Sequence, residues 1–198
     1  GYDGDLLFWK GEYPPGSPTH KEAPYAFKIC ALEHARARGY DVALWADCSI
    51  WFVKPPTPLF DTIGERGYWF MTQGWNVGQW CSDDALPKLK ITREAAFKMP
   101  MVAATFFGLD FRSEDSIKVL EWQRSRCDDG TFVGSWANEM QQMSICPGVL
   151  GHRHDQTALS VIIHKLGLVM DYPPSFFAYQ DQTKTEPHSR VLALARGM

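Results

Sequence analysis

One short apolar segment constrains the fold of this chain more than any other. Val42–Ala46 is a run of Val-Ala-Leu-Trp-Ala that ends at Asp47, with a hydroxyl two residues later at Ser49. An apolar run without alternation predicts a strand covered on both faces, as inside a parallel sheet. Ligands of open α/β sheets bind beyond the carboxyl ends of such strands. Asp47 is therefore predicted to meet a ligand or a metal, and the alternative is that it only caps a turn.

The flanking segments predict a βαβ pattern around this strand. Residues 5–9 have strand composition, residues 12–24 contain four prolines and predict a loop, and residues 25–38 predict a helix that ends at Gly39. Strand, loop, helix and strand in this order indicate an α/β fold. The 198 residues fit a single domain spanning the whole chain.

The rest of the chain continues this alternation. The clearest amphipathic helix is predicted over residues 155–166, where apolar residues recur at helical spacing before Gly167. Further predicted elements are short helices at 59–66 and within 83–97, a helix at 113–126 with Ser113 as N-cap, strands at 68–72 and 101–107, a strand at 168–172, an edge strand at 176–179, and a loop at 74–80.

Composition excludes several classes of protein. The net charge of −3 gives no footprint for a nucleic-acid backbone, which argues against a nucleic-acid partner but leaves room for a local basic groove. The five cysteines form no C-x-x-C pair, so we expect reduced thiols and a cytoplasmic protein. No apolar run is long enough for a membrane span, and no membrane partner is expected. The chain opens with Gly1, which suggests that a start was removed.

A second group of candidate residues stands at the start of the 155–166 helix. Asp155 and Gln156 are placed to grip hydroxyl groups or flank a reacting centre, and Arg153 to meet a phosphate, because a helix N-terminus favours anions. The alternative is that Asp155 is only an N-cap. His152 and His154 stand two residues apart and suggest a second alternative, a metal-dependent hydrolase or nuclease that uses both histidines with Asp155.

Further candidates are a late histidine and a set of aromatic and amide side chains. His188 is either an exposed histidine or a metal ligand that returns to Asp47, and Arg190 is a candidate phosphate contact. Stacking faces next to amides suit sugars or nucleobases, although such residues are more often core. The set consists of Trp45, Trp51, Trp69, Gln73, Trp75, Asn76 and Trp80.

Taken in order, these segments resemble glycosyltransferases of the GT-A fold. Lys28, followed by the strand Val42–Ala46 and Asp47-Cys48-Ser49, is similar to a lysine-bearing helix before the D-x-D element of that family. Residues 154–160, His-Asp-Gln-Thr-Ala-Leu-Ser, resemble the D-Q-x-x-L segment of the retaining glycogenin and galactosyltransferase types. The resemblance spans about residues 20–190 and implies a Rossmann-like, mostly parallel central sheet flanked by helices.

The resemblance implies transfer of a sugar from a nucleotide-sugar, by family habit a UDP-sugar, to a hydroxyl acceptor, with metal assistance and retention of configuration. Asp155 and Gln156 would be catalytic. The donor would be bound by Lys28, Trp45, Asp47, Ser49, Arg153 and Arg190. Asp47, Ser49 and His188 would hold Mn²⁺ or Mg²⁺, and Trp75, Asn76 and Trp80 would receive the acceptor, which is a glycan, a protein, a small molecule or a modified base.

Two departures from the family bear on these expectations. Ser49 replaces the second acid of D-x-D, which puts tight metal dependence in doubt. Only four residues precede Asp5, where the family has a strand and a nucleotide-binding loop, so we expect either a minimal base-binding half or a missing part of the original chain. A non-catalytic carbohydrate-binding module that uses the tryptophan-rich surface is therefore a third hypothesis beside the transferase and the hydrolase.

Overall fold

The computed structural model describes residues 7–172, 176–179 and 193–195 of the chain. They form a mixed α/β structure, as the sequence predicts. Its helices and strands are α1 (Ala26–Ala37), β1 (Val42–Ala46), β2 (Ile50–Phe52), α2 (Thr57–Arg66), β3 (Tyr68–Trp69), β4 (Thr72–Asn76), α3 (Ala85–Leu89), α4 (Arg93–Phe97), β5 (Pro100–Val102), β6 (Phe106–Asp110), α5 (Glu114–Cys127), α6 (His154–Leu166), β7 (Phe177–Tyr179) and β8 (Ala193–Ala195).

The predicted mostly parallel central sheet is not found in the described part of the chain. The sheet that contains β1 has the order β1-β6-β3, and both pairings are antiparallel. The strand covered on both faces is β6, which is buried along its whole length, whereas four of the five β1 residues are half-buried. Complete burial explains why the β6 sequence does not alternate, and it does not require parallel neighbours.

Two apolar clusters cover the two faces of β6. Phe106 packs into a cluster with Leu59 and Ile63 of α2, whereas its neighbour Phe107 packs into a second cluster with residues of α1, α5 and α6. Successive side chains of a strand point to opposite faces, so β6 separates two layers. The sheet therefore lies between α2 on one side and the other long helices on the opposite side.

Helix α6 lies within the core and not on the surface. Every residue from His154 to Ile163 is buried, and α6 packs against α5, which in turn packs against α1. The sequence predicted an amphipathic helix because Leu159, Ile162 and Ile163 share one face. The opposite face carries polar side chains, and these can be buried because they form hydrogen bonds within the protein. One of them is the Ser160 hydroxyl, which accepts a hydrogen bond from the Val102 amide.

The remaining sheets are small. Strand β8 lies between β2, with which it is antiparallel, and β7, with which it is parallel, so β7 is the edge strand that the sequence predicted. Strand β4 pairs with β5 in an antiparallel ladder interrupted between Thr72 and Asn76. Met71 makes an isolated parallel bridge with Asp171, which is the only strand pairing within the described residues of the predicted 168–172 strand.

Several predicted boundaries differ from the structure. Residues 7–9 form no strand, and residues 5 and 6 lie outside the described part. The predicted loop at 74–80 is the end of β4 followed by a 3₁₀ helix, Val77–Trp80, because Asn76 caps that helix with its side chain. The predicted strand at 101–107 is divided between β5 and β6. Ser113 occupies the N-cap position of α5 without a side-chain capping bond.

The described residues contain no helix that combines the length and apolarity needed to cross a bilayer. All five cysteines are free thiols, and three of them are buried.

Candidate functional site

The centre of the candidate site is the ammonium group of Lys28, on the buried face of α1. Its side chain is 5% exposed, and Nζ lies 3.2 Å from Oδ1 of Asp47 and 3.4 Å from Oδ2 of Asp155. Nζ also donates a hydrogen bond to the Ala104 carbonyl oxygen at 3.0 Å. Lysine is almost never buried unless it is paired. One cation therefore joins the end of β1 to the start of α6, and the cluster keeps an excess of negative charge.

Asp47 is held at the carboxyl end of β1 by three contacts. Its backbone amide donates to the Thr105 carbonyl oxygen at 2.9 Å, and its Oδ1 accepts from the indole Nε1 of Trp45 at 2.7 Å in addition to facing Lys28. The turn that follows is closed by the Ile50 amide and the backbone carbonyl of Asp47, not by the carboxylate. The side chain keeps 27% of its exposure, so the turn-capping alternative does not describe this carboxylate.

Asp155 is not the N-cap of α6, which is Arg153. Its carboxylate is directed to Lys28 across the helix interface. Burial raises the pKa of Asp155 to about 6, the attraction of Lys28 limits that rise, and the nearby charge of Asp47 adds to it. Burial lowers the pKa of Lys28, but the pull of Asp155 and Asp47 outweighs it and leaves that pKa raised. The two carboxylates thus favour the charged form of Lys28, whereas burial makes the ionised form of Asp155 unfavourable.

Gln156 anchors the first turn of α6. Its Nε2 donates to the carbonyl oxygen of Val102 at 2.7 Å, and its backbone carbonyl accepts from the Ser160 hydroxyl, whose oxygen accepts in turn from the Val102 amide. These bonds tie α6 to β5. Because the Gln156 side chain is buried, its observed bonding is structural, and the expectation that it faces a sugar remains a prediction.

Two strained residues face each other above Lys28. Tyr25, the N-cap of α1, has φ 65° and ψ 5°, and His154, the first residue of α6, has φ 43°. Their rings lie 5.5 Å apart, and Lys28 Nζ lies 5.1 Å from the Tyr25 ring centre. Such non-glycine conformations cost about 1–3 kcal/mol each and cluster at functional sites. Both helices that meet at Lys28 thus begin at a residue with a positive φ.

Arg153 is held between two indole rings beside this pair. Its guanidinium carbon lies 4.1 Å from the Trp80 ring centre and 4.7 Å from that of Trp136. The Trp136 ring also contacts His154 and Tyr25 at 5.6 and 6.2 Å. Stacking on aromatic faces fixes the plane of an arginine and leaves its donors directed sideways, the geometry that suits a phosphate or a carboxylate.

The two histidines of the predicted metal cluster are committed to backbone bonds. His152 is fully buried, its Nδ1 accepts from the Ser82 amide, and its Nε2 is bonded to the Thr131 carbonyl oxygen at 2.8 Å. Burial lowers the pKa of His152 to about 4, and His154 lowers it further. His154 Nδ1 is bonded to the Phe132 carbonyl oxygen. Both ring nitrogens of His152 are occupied, so the hydrolase alternative loses one of its ligands.

Of the predicted acceptor residues, Trp80 contacts Arg153 directly. Trp75 is 42% exposed and meets Trp80 edge-on at 5.8 Å. Asn76 accepts a bond from the Gln79 amide and caps the 3₁₀ helix, so its side chain has a structural role. Trp75 and Asn76 line a cleft of about 530 Å³, within the size range of ligand sites. Its other lining residues are Thr72, Gly74, Phe97, Lys98, Pro100, Met170 and Tyr172.

The predicted metal site is described only in part. Ser49 is exposed beside Asp47, whereas His188 and Arg190 lie outside the described residues. The described part of the chain contains no group of three His, Cys, Asp or Glu side chains that could hold a metal ion. A metal site on Asp47, Ser49 and His188 therefore remains a prediction.

The sequence did not single out Tyr25 or Trp136 as site residues. Tyr25 was assigned to the start of a helix, and only its positive φ in the structure distinguishes it from ordinary helix residues. Trp136 follows Gly134 and Ser135 in a polar stretch. Phe132, Val133 and Ala137 stand close to it along the chain, so no local signal separates it from a core tryptophan.

A scan of the chain against models of known protein families gives no match, and a search among curated proteins finds no significantly similar sequence.

Proposed function

We propose that this chain is a glycosyltransferase that moves a sugar from a nucleotide-sugar, most simply a UDP-sugar, to a hydroxyl acceptor. The observation that carries the proposal is that Asp47 and Asp155 both form an ion pair with the ammonium of Lys28. These residues come from three separated segments that each resemble part of the donor site of GT-A transferases. Their contact brings together residues to which the resemblance assigns the donor site, although the antiparallel β1-β6-β3 sheet does not itself support the GT-A assignment.

The charges around Lys28 suit an anionic donor with a reactive sugar. Arg153, whose guanidinium carbon lies over the rings of Trp80 and Trp136, binds the diphosphate through its guanidinium edge. The aromatic faces of Tyr25 and Trp45 offer stacking surfaces for the sugar or the base. Asp47, the more exposed carboxylate of the cluster, faces the donor at the end of β1.

In the proposed reaction the acceptor oxygen bonds to the anomeric carbon of the donor sugar while the bond from that carbon to the diphosphate breaks. The electron pair of the broken bond leaves with the diphosphate, and the hydroxyl proton passes to a diphosphate oxygen. The buried carboxylate of Asp155 stabilises positive charge that develops on the sugar, because fixed charges act strongly where water is excluded. Gln156 positions Asp155 by anchoring the first turn of α6.

The acceptor enters through the cleft at Trp75. This cleft adjoins Arg153 through the Trp75–Trp80 contact, so an acceptor bound there approaches the donor phosphates from the tryptophan side. Exposed aromatic rings such as Trp75 are the stacking surfaces that sugar rings use. The proposal keeps Mn²⁺ or Mg²⁺ as a cofactor only if His188 joins Asp47 and Ser49, and the metal would then neutralise the diphosphate.

Thermal unfolding with a panel of nucleotide-sugars, with and without Mn²⁺, tests the proposal. A ligand present at 100 times its Kd stabilises the folded protein by about 2.7 kcal/mol, which is a readily measured rise in Tm. We expect UDP-sugars to raise the Tm. Asp47→Asn and Arg153→Gln should reduce the rise, and Asp155→Asn should keep it but lose transfer of radiolabelled sugar to an acceptor panel.

Glu114→Gln is the matched control, because it removes an exposed carboxylate of α5 that is distant in sequence from the cluster. It should leave both binding and transfer unchanged. The absence of stabilisation by any nucleotide or nucleotide-sugar would contradict the proposal, and so would stabilisation that Asp47→Asn and Arg153→Gln leave intact.

A non-catalytic carbohydrate-binding module is the second candidate, because Trp75 and the 77% exposed Tyr172 both line the open cleft. It predicts that free oligosaccharides raise the Tm without nucleotide or metal and that Trp75→Ala alone removes the effect. The transferase predicts instead that nucleotide-sugar binding survives Trp75→Ala.

A further inference from the structure

A basic cavity lies at the opposite end of α6 from Asp155. It has a volume of about 260 Å³ and is bounded by the ends of α3, α5 and α6. Ten residues of helix separate Asp155 from Lys165, or about 15 Å at the rise of an α-helix, so the cavity is distinct from the candidate active site. Its lining residues are Lys88, Leu89, Lys90, Trp122, Ser125, Arg126, Val161, Ile162 and Lys165.

Four of the residues that line the cavity are cationic, in a chain whose net charge is negative. Arg126 pairs with Asp129 at 2.6 Å. Lys88, Lys90 and Lys165 form no ion pair with any residue of the described chain. Burial lowers the pKa of Lys165, and the charges of Lys90 and Arg126 lower it further. The cavity thus concentrates positive charge that a single carboxylate does not balance.

Helix capping accounts for part of this arrangement. Lys165 Nζ donates to the Leu89 carbonyl oxygen at 2.7 Å, and Arg126 donates to the Lys88 carbonyl oxygen at 2.9 Å, so both cations bind the last carbonyls of α3. Capping does not use the ammonium groups of Lys88 and Lys90, which make no hydrogen bond within the described residues. It also does not explain why Trp122 is 40% exposed at the cavity wall.

We propose that this cavity is a second binding site, for a small phosphate ester. Lys88 and Lys90 bind the phosphate oxygens, together with the positive field of Arg126 and Lys165, because ammonium groups bind phosphate as point charges. The organic part of the ester lies against the indole of Trp122. The volume is slightly below the range of sites for drug-sized ligands, which limits the ligand to a small molecule.

Nitrogen–proton correlation spectra and titration calorimetry with phenyl phosphate test the proposal at constant ionic strength set with chloride. Inorganic phosphate is the comparison probe. We expect phenyl phosphate to shift the indole resonance of Trp122, which Trp122→Phe identifies, and to bind more tightly than inorganic phosphate. The double variant Lys88→Gln, Lys90→Gln should weaken binding about tenfold or more, since it removes two charge-assisted contacts.

Two controls assign the site. Lys10→Gln removes one exposed ammonium elsewhere in the chain, and Arg153→Gln removes the phosphate ligand proposed for the active site; neither should change the Trp122 shift. The single variant Lys90→Gln serves if the double variant is unstable.

Three results would overturn the proposal. The first is a Trp122 resonance that does not move at tens of millimolar probe, a concentration that populates even a complex with a Kd of about 10 mM. The second is binding that the lysine variants leave unchanged, and the third is binding that Arg153→Gln abolishes.

Discussion

Lys28 contributes both to the packing of the fold and to the candidate site. Its ammonium satisfies two carboxylates from distant segments and one backbone carbonyl, in a position with almost no solvent. Breaking such a buried pair by removing one partner leaves an uncompensated charge. The residue is therefore expected to support both stability and the proposed chemistry.

Lys28→Met should destabilise the protein by about 3–5 kcal/mol at pH 7, because Asp155 is left buried without its cation. Urea denaturation measures the loss. The loss should shrink near pH 5, where Asp155 becomes protonated and no longer needs a cation. The exposed Lys118→Met of α5 is the control and should change stability little at either pH. An equal effect of the two substitutions would contradict the buried ion pair.

At the scale of elements, the segment before α6 positions the site. Three backbone amides of this segment donate hydrogen bonds to backbone carbonyl oxygens. The amide of Leu150 donates to Gln79, that of His152 to Ser135 and that of Arg153 to Trp80. Residues 150–153 are thus bound on both sides, between the 3₁₀ helix and the stretch that carries Trp136. This close backbone packing sets the distance between the two indoles that hold Arg153.

Gly151→Ala should disrupt this packing, because a methyl group on Gly151 would overlap the backbone carbonyl of Trp136. Overpacking costs typically about 1–3 kcal/mol, and here the clash is with backbone that cannot rotate away. We expect a lower urea midpoint, an altered near-ultraviolet dichroism from Trp136 and weaker nucleotide-sugar binding.

Gly64→Ala is the matched control for this substitution. Gly64 lies in α2 with no atom near its absent side chain, so alanine should stabilise the helix by roughly 0.5–1 kcal/mol. A Gly151→Ala protein as stable as the wild type would show that the two segments are not packed as closely as the structure indicates.

At the scale of the whole molecule, two buried groups give opposite pH dependences of stability. Asp155 has a folded pKa of about 6, above its ordinary value, so its contribution to stability rises as pH falls from 6 toward 4. His152 has a folded pKa of about 4, below its ordinary value, so its contribution falls as pH falls from 6.5 toward 4. The two slopes oppose each other over the same interval.

Unfolding free energies measured from pH 4 to 7 should separate these contributions. Relative to the wild type, Asp155→Asn should lose stability as pH falls below 6, and His152→Gln should gain it. Each slope should be about 1.4 kcal/mol per pH unit, because one pKa unit corresponds to that difference. Slopes of the same sign for the two variants would contradict the burial of one of the groups.

The sequence predicted much of the local structure. Helices α1, α5 and α6 and strand β1 lie within a residue or two of their predicted positions, because helical periodicity, Gly39, Gly167 and the apolar run at 42–46 are local signals. Thr92 caps α4, which lies within the predicted 83–97 segment, by accepting a bond from the Ala95 amide. The direction of strand pairing was not predictable in this way, since the complete burial of β6 leaves the same sequence pattern in parallel and antiparallel sheets.

The sequence by itself determined which residues are candidates for chemistry: Lys28, Asp47 and Asp155 are each marked by the segment in which they stand. Only the tertiary structure decided that they share one ammonium, that Arg153 lies between two indoles, and that both nitrogens of His152 serve the core. The reason is physical. Helix and strand signals are read over a few neighbouring residues, whereas ion pairs and stacking depend on distances set by packing across more than a hundred positions of the chain.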